Sequence, residues 1–343
     1  MSEIAVIGAG AWGTAIAIAL GRRGTHRVRL WAYEKEVAES LAREHTNHLF
    51  LPDFKVPKTV AGTNSMEQAL MGAEMAVTVM PSHHCRRLYE QMAPHLTPQM
   101  MLLSATKGIE NQTLLRMTEV ATEVLAKARP EMKPRIGALS GPSFAKEVAR
   151  GDPTAVVVAS KDSELAAYAQ QALNDSNFRV YTSDDVVGAE MGGALKNIIA
   201  IAAGVCDGLG LGHNTIAALI TRGLAEITRL AVACGARRET MFGLAGVGDL
   251  VLTCTGGLSR NRSVGVELGR GRKLDDIVAG MQGMVAEGVL TLNAARGLAK
   301  RHGVEMPITE QMHAVLYEGK APMAAIHELM TRPARGEWGA GSA

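Results

Sequence analysis

The stretch EIAVIGAGAWG, residues 3–13, decides the fold of the first half of this chain. An apolar run precedes the pattern G-x-G-x-x-G at Gly8, Gly10 and Gly13, and an apolar helical pattern follows it. The glycines alone are a weak signal, because any glycine-rich turn can match them, but a strand before and a helix after are the context of a dinucleotide-binding turn. Gly8 permits the tight turn, Gly10 lets a pyrophosphate approach the backbone, and Gly13 lets the helix pack closely on the strand. The free amides at the N-terminus of the helix would then bind the pyrophosphate.

Apolar runs alternate with helical patterns through the first half of the chain. Buried strands are predicted at EIAVIGAG (3–10), RVRLWAY (27–33), AEMAVTVMPS (73–82), MMLLSATKG (100–108), RIGALSGPS (135–143) and TAVVVAS (154–160). After residue 184 the apolar spacing is helical only. This predicts an α/β fold: an N-terminal Rossmann-type doubly wound, mostly parallel sheet followed by an all-α C-terminal domain. The expected bounds are 1–186, 187–332 and a disordered tail at 333–343.

Composition limits the function classes. The chain has 343 residues and a near-balanced charge of +2, which argues against a nucleic-acid partner. Its N-terminus lacks the basic region of a signal peptide, and no apolar run approaches the ~20 residues of a membrane span. A cytoplasmic protein without membrane insertion is therefore expected. No metal is expected, because no H-E-x-x-H or similar spacing occurs. Four scattered cysteines indicate free thiols: Cys85, Cys206, Cys234 and Cys254.

Lys196 is the one charged residue between Glu190 and Asp207 in an otherwise small and apolar segment, GGALKNIIAIAAGVCDG (192–208). One interpretation is a lysine whose stem is buried and whose ammonium reaches water. The favoured interpretation is an ammonium that faces an interdomain cleft, where burial and a nearby cation lower its pKa. Such a lysine can act as an acid–base group at neutral pH.

Other candidate residues follow predicted strands or lie in the helical half. Lys107 and the turn at Gly141 and Ser143 come at strand ends, where open sheets bind ligands, although Lys107 could equally be a solvated loop lysine. Asp249 lies in an uncharged stretch and could orient a lysine or a substrate hydroxyl. The segment SRNR offers phosphate-binding chemistry at Ser259, Arg260 and Asn261, or a helix cap with exposed arginines; these two interpretations are compatible.

The choice between NAD and NADP stays open at the end of the second strand. An acidic residue about 20 positions after the glycines favours NAD, and a basic one favours NADP. The sequence there is LWAYEKE, so Tyr33, Glu34 and Lys35 are all candidates. Glu34 favours NAD if its carboxylate faces the ribose, and Lys35 favours NADP if its ammonium does.

Taken together, these segments resemble the NAD(P)-dependent glycerol-3-phosphate dehydrogenases. Matching stretches run in order from residue 8 to about 307: GAGAWGTAIA, LPD, PSH, ATKGIE, SGPSFAKE, GGALKNIIAIAAG, TRGLAE, GLAGVGDLVLTCT, SRNR and GVEMPI. The resemblance implies a reversible reduction of dihydroxyacetone phosphate to sn-glycerol 3-phosphate, which supplies glycerophospholipid synthesis. It implies a homodimer and a small phosphorylated three-carbon substrate.

The resemblance also implies residue roles. Lys196 would protonate the nascent alkoxide, with Lys107 and Asp249 beside the same oxygen. The substrate would contact Lys107, Gly141, Ser143, Lys196, Asp249, Ser259, Arg260 and Asn261. With the three glycines, the implied cofactor contacts are Ala11, Trp12, Tyr33, His45, Lys107, Ala145, Arg260, Val285 and Glu287. Two departures from the family are Ala11 where serine is frequent, and Tyr33 with Glu34 where many members carry a basic residue.

Two rival functions remain. Another two-domain hydroxyacid dehydrogenase would lack the SRNR phosphate site and would accept substrates without phosphate. A non-catalytic NAD(P)-binding regulator on the same scaffold would bind the cofactor without turnover, and would have no need of Lys107, Lys196 and Asp249 together.

Overall fold

A computed structural model describes residues 1–281, 286–334 and 336–337. The expected cofactor contact Val285 lies outside these residues, as does most of the expected tail at 333–343.

Ten strands form in the first 183 residues. They are β1 (Ser2–Ile7), β2 (His26–Trp31), β3 (Thr46–Asn47), β4 (Leu51–Lys55), β5 (Val60–Thr63), β6 (Met75–Thr78), β7 (Met101–Ser104), β8 (Arg135–Ser140), β9 (Thr154–Ser160) and β10 (Phe178–Ser183). Eight of them make one sheet in the order β10-β9-β8-β7-β6-β1-β2-β5, and β3 pairs with β4. All pairs in the large sheet are parallel except β8 with β9.

The six predicted strands all form, and the sequence analysis missed β3, β4, β5 and β10. The central strand β1 shows why the sheet is covered on both faces. Ile4 and Val6 pack into one apolar cluster, whereas Ala5 and Ile7 pack into another. Because side chains alternate along a strand, these two clusters lie on opposite faces of the sheet.

Seven helices connect the strands. They are α1 (Ala11–Arg22), α2 (Lys35–Glu44), α3 (Met66–Leu70), α4 (Cys85–Met92), α5 (Met117–Ala128), α6 (Ala145–Arg150) and α7 (Ser163–Leu173). The first of these ends before Gly24, whose φ of +69° lies in the left-handed region that favours glycine. Strand–helix alternation of this kind confirms the predicted α/β class.

Eight helices follow the sheet, and the described residues after Ser183 include no strand. They are α8 (Val186–Gly208), α9 (His213–Ala233), α10 (Asp249–Thr255), α11 (Arg260–Gly269), α12 (Leu274–Ala279), α13 (Glu287–His302), α14 (Pro307–Tyr317) and α15 (Pro322–Met330). A sheet followed by helices alone confirms the predicted fold class.

Helix α8 is the core of the helical part. Contrary to the expectation that no apolar run approaches a membrane span, its length and mean hydropathy of 1.4 would suffice to cross a membrane, because Lys196 and Glu190 are its only charges within the apolar window. However, 89% of that window is buried within the protein. It packs against α11 with the backbones in contact: a Cβ at Gly204 would stand 2.0 Å from Arg262 O, and one at Gly265 2.0 Å from Ile201 O. These two glycines therefore fix how closely α11 approaches the segment that carries Lys196.

Candidate functional site

The glycine turn after β1 has the geometry that its sequence predicts. Gly8 has a φ of +119°, and a Cβ there would stand 1.9 Å from Val79 O. A Cβ at Gly13 would stand 1.8 Å from Gly8 O, so α1 lies directly against the turn. By contrast, a Cβ at Gly10 would meet nothing within 4 Å. The turn is thus packed on the protein side and open on the side that a ligand would use.

The open side of this turn offers unpaired donors. Gly10 is the N-cap of α1 and has no side chain to bond the first-turn amides. Two buried nitrogens have no hydrogen-bond partner among the described residues: Trp12 Nε1, in the first turn of α1, and His45 Nδ1, directly after α2. Buried polar atoms are normally paired, so such atoms mark where a polar ligand completes the structure. Ala11, Trp12 and Ala145 pack, partly buried, against one apolar cluster. These residues fit a dinucleotide cofactor.

Asn47 supports the glycine turn and was missed by the sequence analysis. Its buried amide donates to Ala9 O at 2.7 Å and to Thr14 Oγ1 at 2.8 Å, and its Oδ1 accepts from Phe50 N at 3.0 Å. It therefore ties the β3–β4 hairpin to the turn. The only signal in the sequence is an amide residue in a short polar stretch, which is too common to single out.

Two lysines from different parts of the chain share one carboxylate. Lys196 on α8 donates to Asp249 Oδ1, and Lys107, after β7, donates to Asp249 Oδ2 at 2.6 Å. Lys196 also donates to Thr253 Oγ1 at 2.7 Å, and Lys107 to Gly141 O at 3.1 Å. An ammonium has three donors, so each lysine keeps one N–H that no described residue accepts.

Burial sets the protonation behaviour of this cluster. Lys196 is 6% exposed, and desolvation lowers its pKa to about 7; the Asp249 carboxylate opposes that shift and the Lys107 ammonium adds to it. Because the pKa lies near neutrality, Lys196 can both give and take a proton under ordinary conditions. The side chain of Lys107 is 19% exposed, so it lies closer to water than its neighbour does.

A π-helical turn delivers Asp249 to the lysines. Leu244–Gly248 forms this turn directly before α10, at the segment LAGVG. A Cβ at Gly192 of α8 would stand 2.3 Å from Ala245 O, so the turn rests on the helix one turn before Lys196. π-helical turns are rare in proteins, and those that do occur are often found at functional sites.

The loop after β8 closes the cluster from the sheet side. Gly141 has a φ of +123°, and its carbonyl accepts from both Lys107 Nζ and Ser143 Oγ, the latter at 2.9 Å. Ser140 Oγ, which the sequence analysis missed, is buried and has no hydrogen-bond partner in the part of the chain that the structure describes; a Cβ at Gly193 would stand 2.8 Å from it. The lack of a side chain at 193 leaves room for this hydroxyl and for the stem of Lys107.

The segment SRNR begins α11. Ser259 is the N-cap, accepting from Arg262 N at 3.2 Å, so the helix-cap interpretation holds for this residue. Asn261 donates to Asn197 Oδ1 at 2.9 Å and accepts from Gly288 N at 2.9 Å. Asn197, next to Lys196, was missed; its uncharged polar side chain within an apolar helix was the available signal.

Arg260 and Glu287 are two further charged residues at this end of the site. Arg260 is exposed and makes no side-chain hydrogen bond or ion pair with a described residue. Glu287 accepts from Ser82 N at 3.0 Å and Ser82 Oγ at 2.6 Å, and burial raises its pKa. The structure thus brings Glu287 to the 3-10 turn Ser82–His84, across from the sheet.

Tyr33 lies apart from the lysines, at the end of β2. It is 66% exposed, and its ring meets Trp31 edge to face with the centroids 6.3 Å apart. Among the described residues, no group of three or more His, Cys, Asp or Glu side chains could hold a metal ion.

Fold and site together define a class: a nicotinamide-dependent dehydrogenase with a Rossmann-type sheet and a helical second domain. Family models described as the N-terminus and the C-terminus of NAD-dependent glycerol-3-phosphate dehydrogenase match residues 3–166 and 185–327. The chain belongs to this family.

Individual relatives agree over the full length. A glycerol-3-phosphate dehydrogenase of Koribacter versatilis, named as using NAD(P)+, is 67% identical over 337 residues, which cover 98% of this chain and 99% of that protein. Its namesake in Acidobacterium capsulatum is 58% identical, covering 98% and 100%. The crystal structure of glycerol-3-phosphate dehydrogenase from Coxiella burnetii has a TM-score of 0.91 at 39% identity, covering 96% of this chain and 99% of that one.

Proposed function

We propose that this chain catalyses the reversible, NAD(P)H-dependent reduction of dihydroxyacetone phosphate to sn-glycerol 3-phosphate, with Lys196 as the acid–base residue. The observation that carries this proposal is the buried Lys196–Asp249–Lys107 cluster, in which each ammonium keeps one N–H that no described side chain or carbonyl accepts. The product, sn-glycerol 3-phosphate, is a precursor of glycerophospholipids. Supplying their synthesis is therefore the role that this activity serves.

The chemistry divides between cofactor and protein. A bound reduced nicotinamide would supply the hydride to the carbonyl carbon, which no side chain can provide. Lys196 and Lys107 donate their free N–H groups to the carbonyl oxygen, where negative charge develops. Lys196 then transfers a proton to that oxygen, so the carbonyl becomes a hydroxyl and the lysine becomes neutral. In the reverse direction the neutral amine accepts this proton.

Asp249 has a positioning role in this scheme. Its carboxylate accepts from both lysines and holds the two ammonium groups side by side despite their repulsion. Thr253 accepts a hydrogen bond from Lys196 and donates its own hydroxyl proton to Asp249 O at 2.6 Å. Asp249 and Thr253, the two acceptors of Lys196, are both held by α10. The remaining N–H of Lys196 therefore has a fixed direction.

The N-terminus of α11 supports binding of the substrate phosphate. Arg260 is a cation without a hydrogen bond or ion pair to a described residue, at the first position of a helix whose opening amides favour anions. Asn261 is fixed by Asn197 and Gly288, which links this end of the site to α8 and α13. Gly141 and Ser143 would complete the substrate contacts from the sheet side.

The cofactor contacts are proposed at the glycine turn and around it. Gly8, Gly10 and Gly13 with Trp12 and His45 would hold the dinucleotide, since the turn is open and two buried nitrogens there lack partners. Ala11, Tyr33, Lys107, Ala145, Arg260, Val285 and Glu287 remain proposed contacts. A homodimer in the cytoplasm, without membrane insertion or a nucleic-acid partner, is proposed from the family and from the near-neutral charge.

The decisive experiment follows loss of NADH or NADPH absorbance with two substrates, dihydroxyacetone phosphate and unphosphorylated dihydroxyacetone. Turnover with the phosphorylated substrate and a much smaller kcat/KM without the phosphate are expected. Equal turnover of both would favour the rival hydroxyacid dehydrogenase. Cofactor binding without turnover of either would favour the regulator.

A further inference from the structure

The segment after β2 lies beside the glycine turn. β1 and β2 are paired in parallel up to Ile7 and Trp31, and Gly8 N donates to Trp31 O at 3.1 Å. The chain that leaves β2 at Ala32 therefore flanks the turn that would hold the pyrophosphate. In this fold the residue at that point meets the adenosine ribose, whose 2′ position distinguishes NAD from NADP.

Asn64 holds this segment in place. Its amide donates to Ala32 O and to Tyr33 O, both at 2.8 Å, and its own backbone carbonyl accepts from Trp31 Nε1 at 3.2 Å. Ala32 N also donates to Thr63 O at 2.9 Å. Three hydrogen bonds from the end of β5 thus hold the backbone that leads into Glu34, and the fourth holds the Trp31 indole beside it.

The two candidate side chains have different environments. Glu34 is the N-cap of α2, half-buried, and its carboxylate makes no hydrogen bond or ion pair with a described residue. Lys35 has an 81% exposed side chain, with its Nζ 3.9 Å from Glu39 Oε1 one turn along α2. The ammonium thus lies along the exposed face of the helix, while the Glu34 carboxylate, at the start of α2, remains available to a ligand.

The local charge opposes a phosphate. The opening amides of α2 have no side-chain cap and would by themselves attract an anion. Glu34 and Glu36 already place two carboxylates in that turn, against the single cation Lys35. A 2′-phosphate would meet these carboxylates, whereas a ribose hydroxyl would donate a hydrogen bond to Glu34.

We propose that Glu34 makes this chain prefer NAD(H) over NADP(H), by accepting a hydrogen bond from the ribose 2′-hydroxyl and repelling a 2′-phosphate, with Asn64 as the residue that positions it. This inference rests on the proposed function only for the identity of the cofactor class. It resolves the choice that the residues Tyr33, Glu34 and Lys35 leave open.

The test is an equilibrium titration of nicotinamide fluorescence with NADH and NADPH, without substrate. The native chain is expected to bind NADH about tenfold or more tightly than NADPH, the range of a hydrogen bond to a charged group. Glu34→Gln is expected to bring the ratio of the two Kd values close to one. Glu90→Gln is the charge control, because Glu90 is an exposed residue of α4 whose side chain makes no hydrogen bond or ion pair with a described residue, so it should preserve the ratio.

Three outcomes would overturn the role of Glu34. The first is a native chain that binds NADPH as tightly as NADH, and the second is a ratio that Glu34→Gln leaves unchanged. The third is a shift by Glu90→Gln as large as that by Glu34→Gln, since net charge alone would then explain the preference.

Asn64→Ala tests the positioning role. Its control is Asn177→Ala, because Asn177 is a second exposed asparagine whose amide donates to a backbone carbonyl, Gly151 O at 2.7 Å, far from this turn. Asn64→Ala should reduce the ratio of the two Kd values several-fold, and the control should not. Equal weakening of both coenzymes would overturn the assignment of Asn64.

The titration separates this inference from the proposed function. A chain that prefers NADH but fails to turn over dihydroxyacetone phosphate would sustain the inference and contradict the activity. An active chain that prefers NADPH would do the reverse.

Discussion

Helix α8 carries two buried ionisable side chains less than two turns apart, and they differ in how fully they are paired. Glu190 accepts from Arg116 Nη1, from Thr118 N at 2.9 Å and from Thr118 Oγ1 at 2.6 Å. Lys196 donates to Asp249 and Thr253 and keeps one N–H without an acceptor among the residues that the structure describes. Their exposures are nearly equal, 7% and 6%.

Burial favours the neutral form of both side chains: it raises the pKa of Glu190 and lowers the pKa of Lys196. A perturbed pKa therefore does not separate a functional group from a structural one on this helix. The difference is the saturation of hydrogen bonds. Glu190 joins α8 to the start of α5, whereas Lys196 leaves a donor for a ligand. The following predictions test this comparison.

The largest effect is expected from Lys196→Met. It removes the proton donor while Asp249 keeps Lys107, so kcat should fall about a thousandfold or more with the fold intact. Steady-state kinetics and an NADH binding titration check this together. Lys196→Arg serves as the control for charge, because arginine keeps the cation but does not titrate near neutrality, and it should be nearly as inactive. Activity of Lys196→Met within tenfold of the native chain would contradict the role.

Glu190→Ala should instead destabilise the protein, by about 3 kcal/mol, because it leaves buried donors of Arg116 and Thr118 unpaired. Urea unfolding gives the free energy of unfolding, and kcat of the folded fraction should change less than twofold. If kcat fell as strongly as in Lys196→Met while stability was unaffected, hydrogen-bond saturation would not distinguish the two groups.

Arg260→Ala extends the comparison to the arginines, since Arg116 pairs with Glu119 and Glu190, whereas Arg260 pairs with no described residue. Loss of a charged contact to phosphate should raise KM for dihydroxyacetone phosphate by about 30- to 100-fold, with a smaller change in kcat. The matched control is Arg262→Ala, on the same helix, whose guanidinium is 2.9 Å from Asp207. Similar KM values for the two variants would remove Arg260 from the phosphate site.

The smallest effect is a displacement of the pH profile. Reduction needs the protonated Lys196, so kcat/KM for the ketone should fall as pH rises above the lysine pKa of about 7. Asp249→Asn removes the anion that favours the ammonium, so the fall should move to lower pH by about 1 unit or more. A profile that moves to higher pH would contradict the assigned electrostatics.

Local patterns predicted much of this molecule. The glycine turn, six strands and the change to helices near residue 184 depend on periodicity and glycine chemistry within short windows. β5 and β10 escaped notice because both lie at an edge of the sheet, where polar residues are tolerated, and because VAGT is only four residues long. The antiparallel β8–β9 pair was not predicted, since strand direction depends on how the loop between them closes.

By itself, the sequence determined that Lys196 lies in an apolar helix, that a dinucleotide turn follows β1 and that SRNR opens a helix. Only the tertiary structure decided that Lys107, 142 residues before Asp249, shares its carboxylate with Lys196. It alone placed Lys35 along α2 and left Glu34 at the turn. The physical reason is that hydrogen bonds and ion pairs depend on distance in space, which packing of α8, α10 and the sheet sets, whereas residue patterns record only what each segment prefers alone.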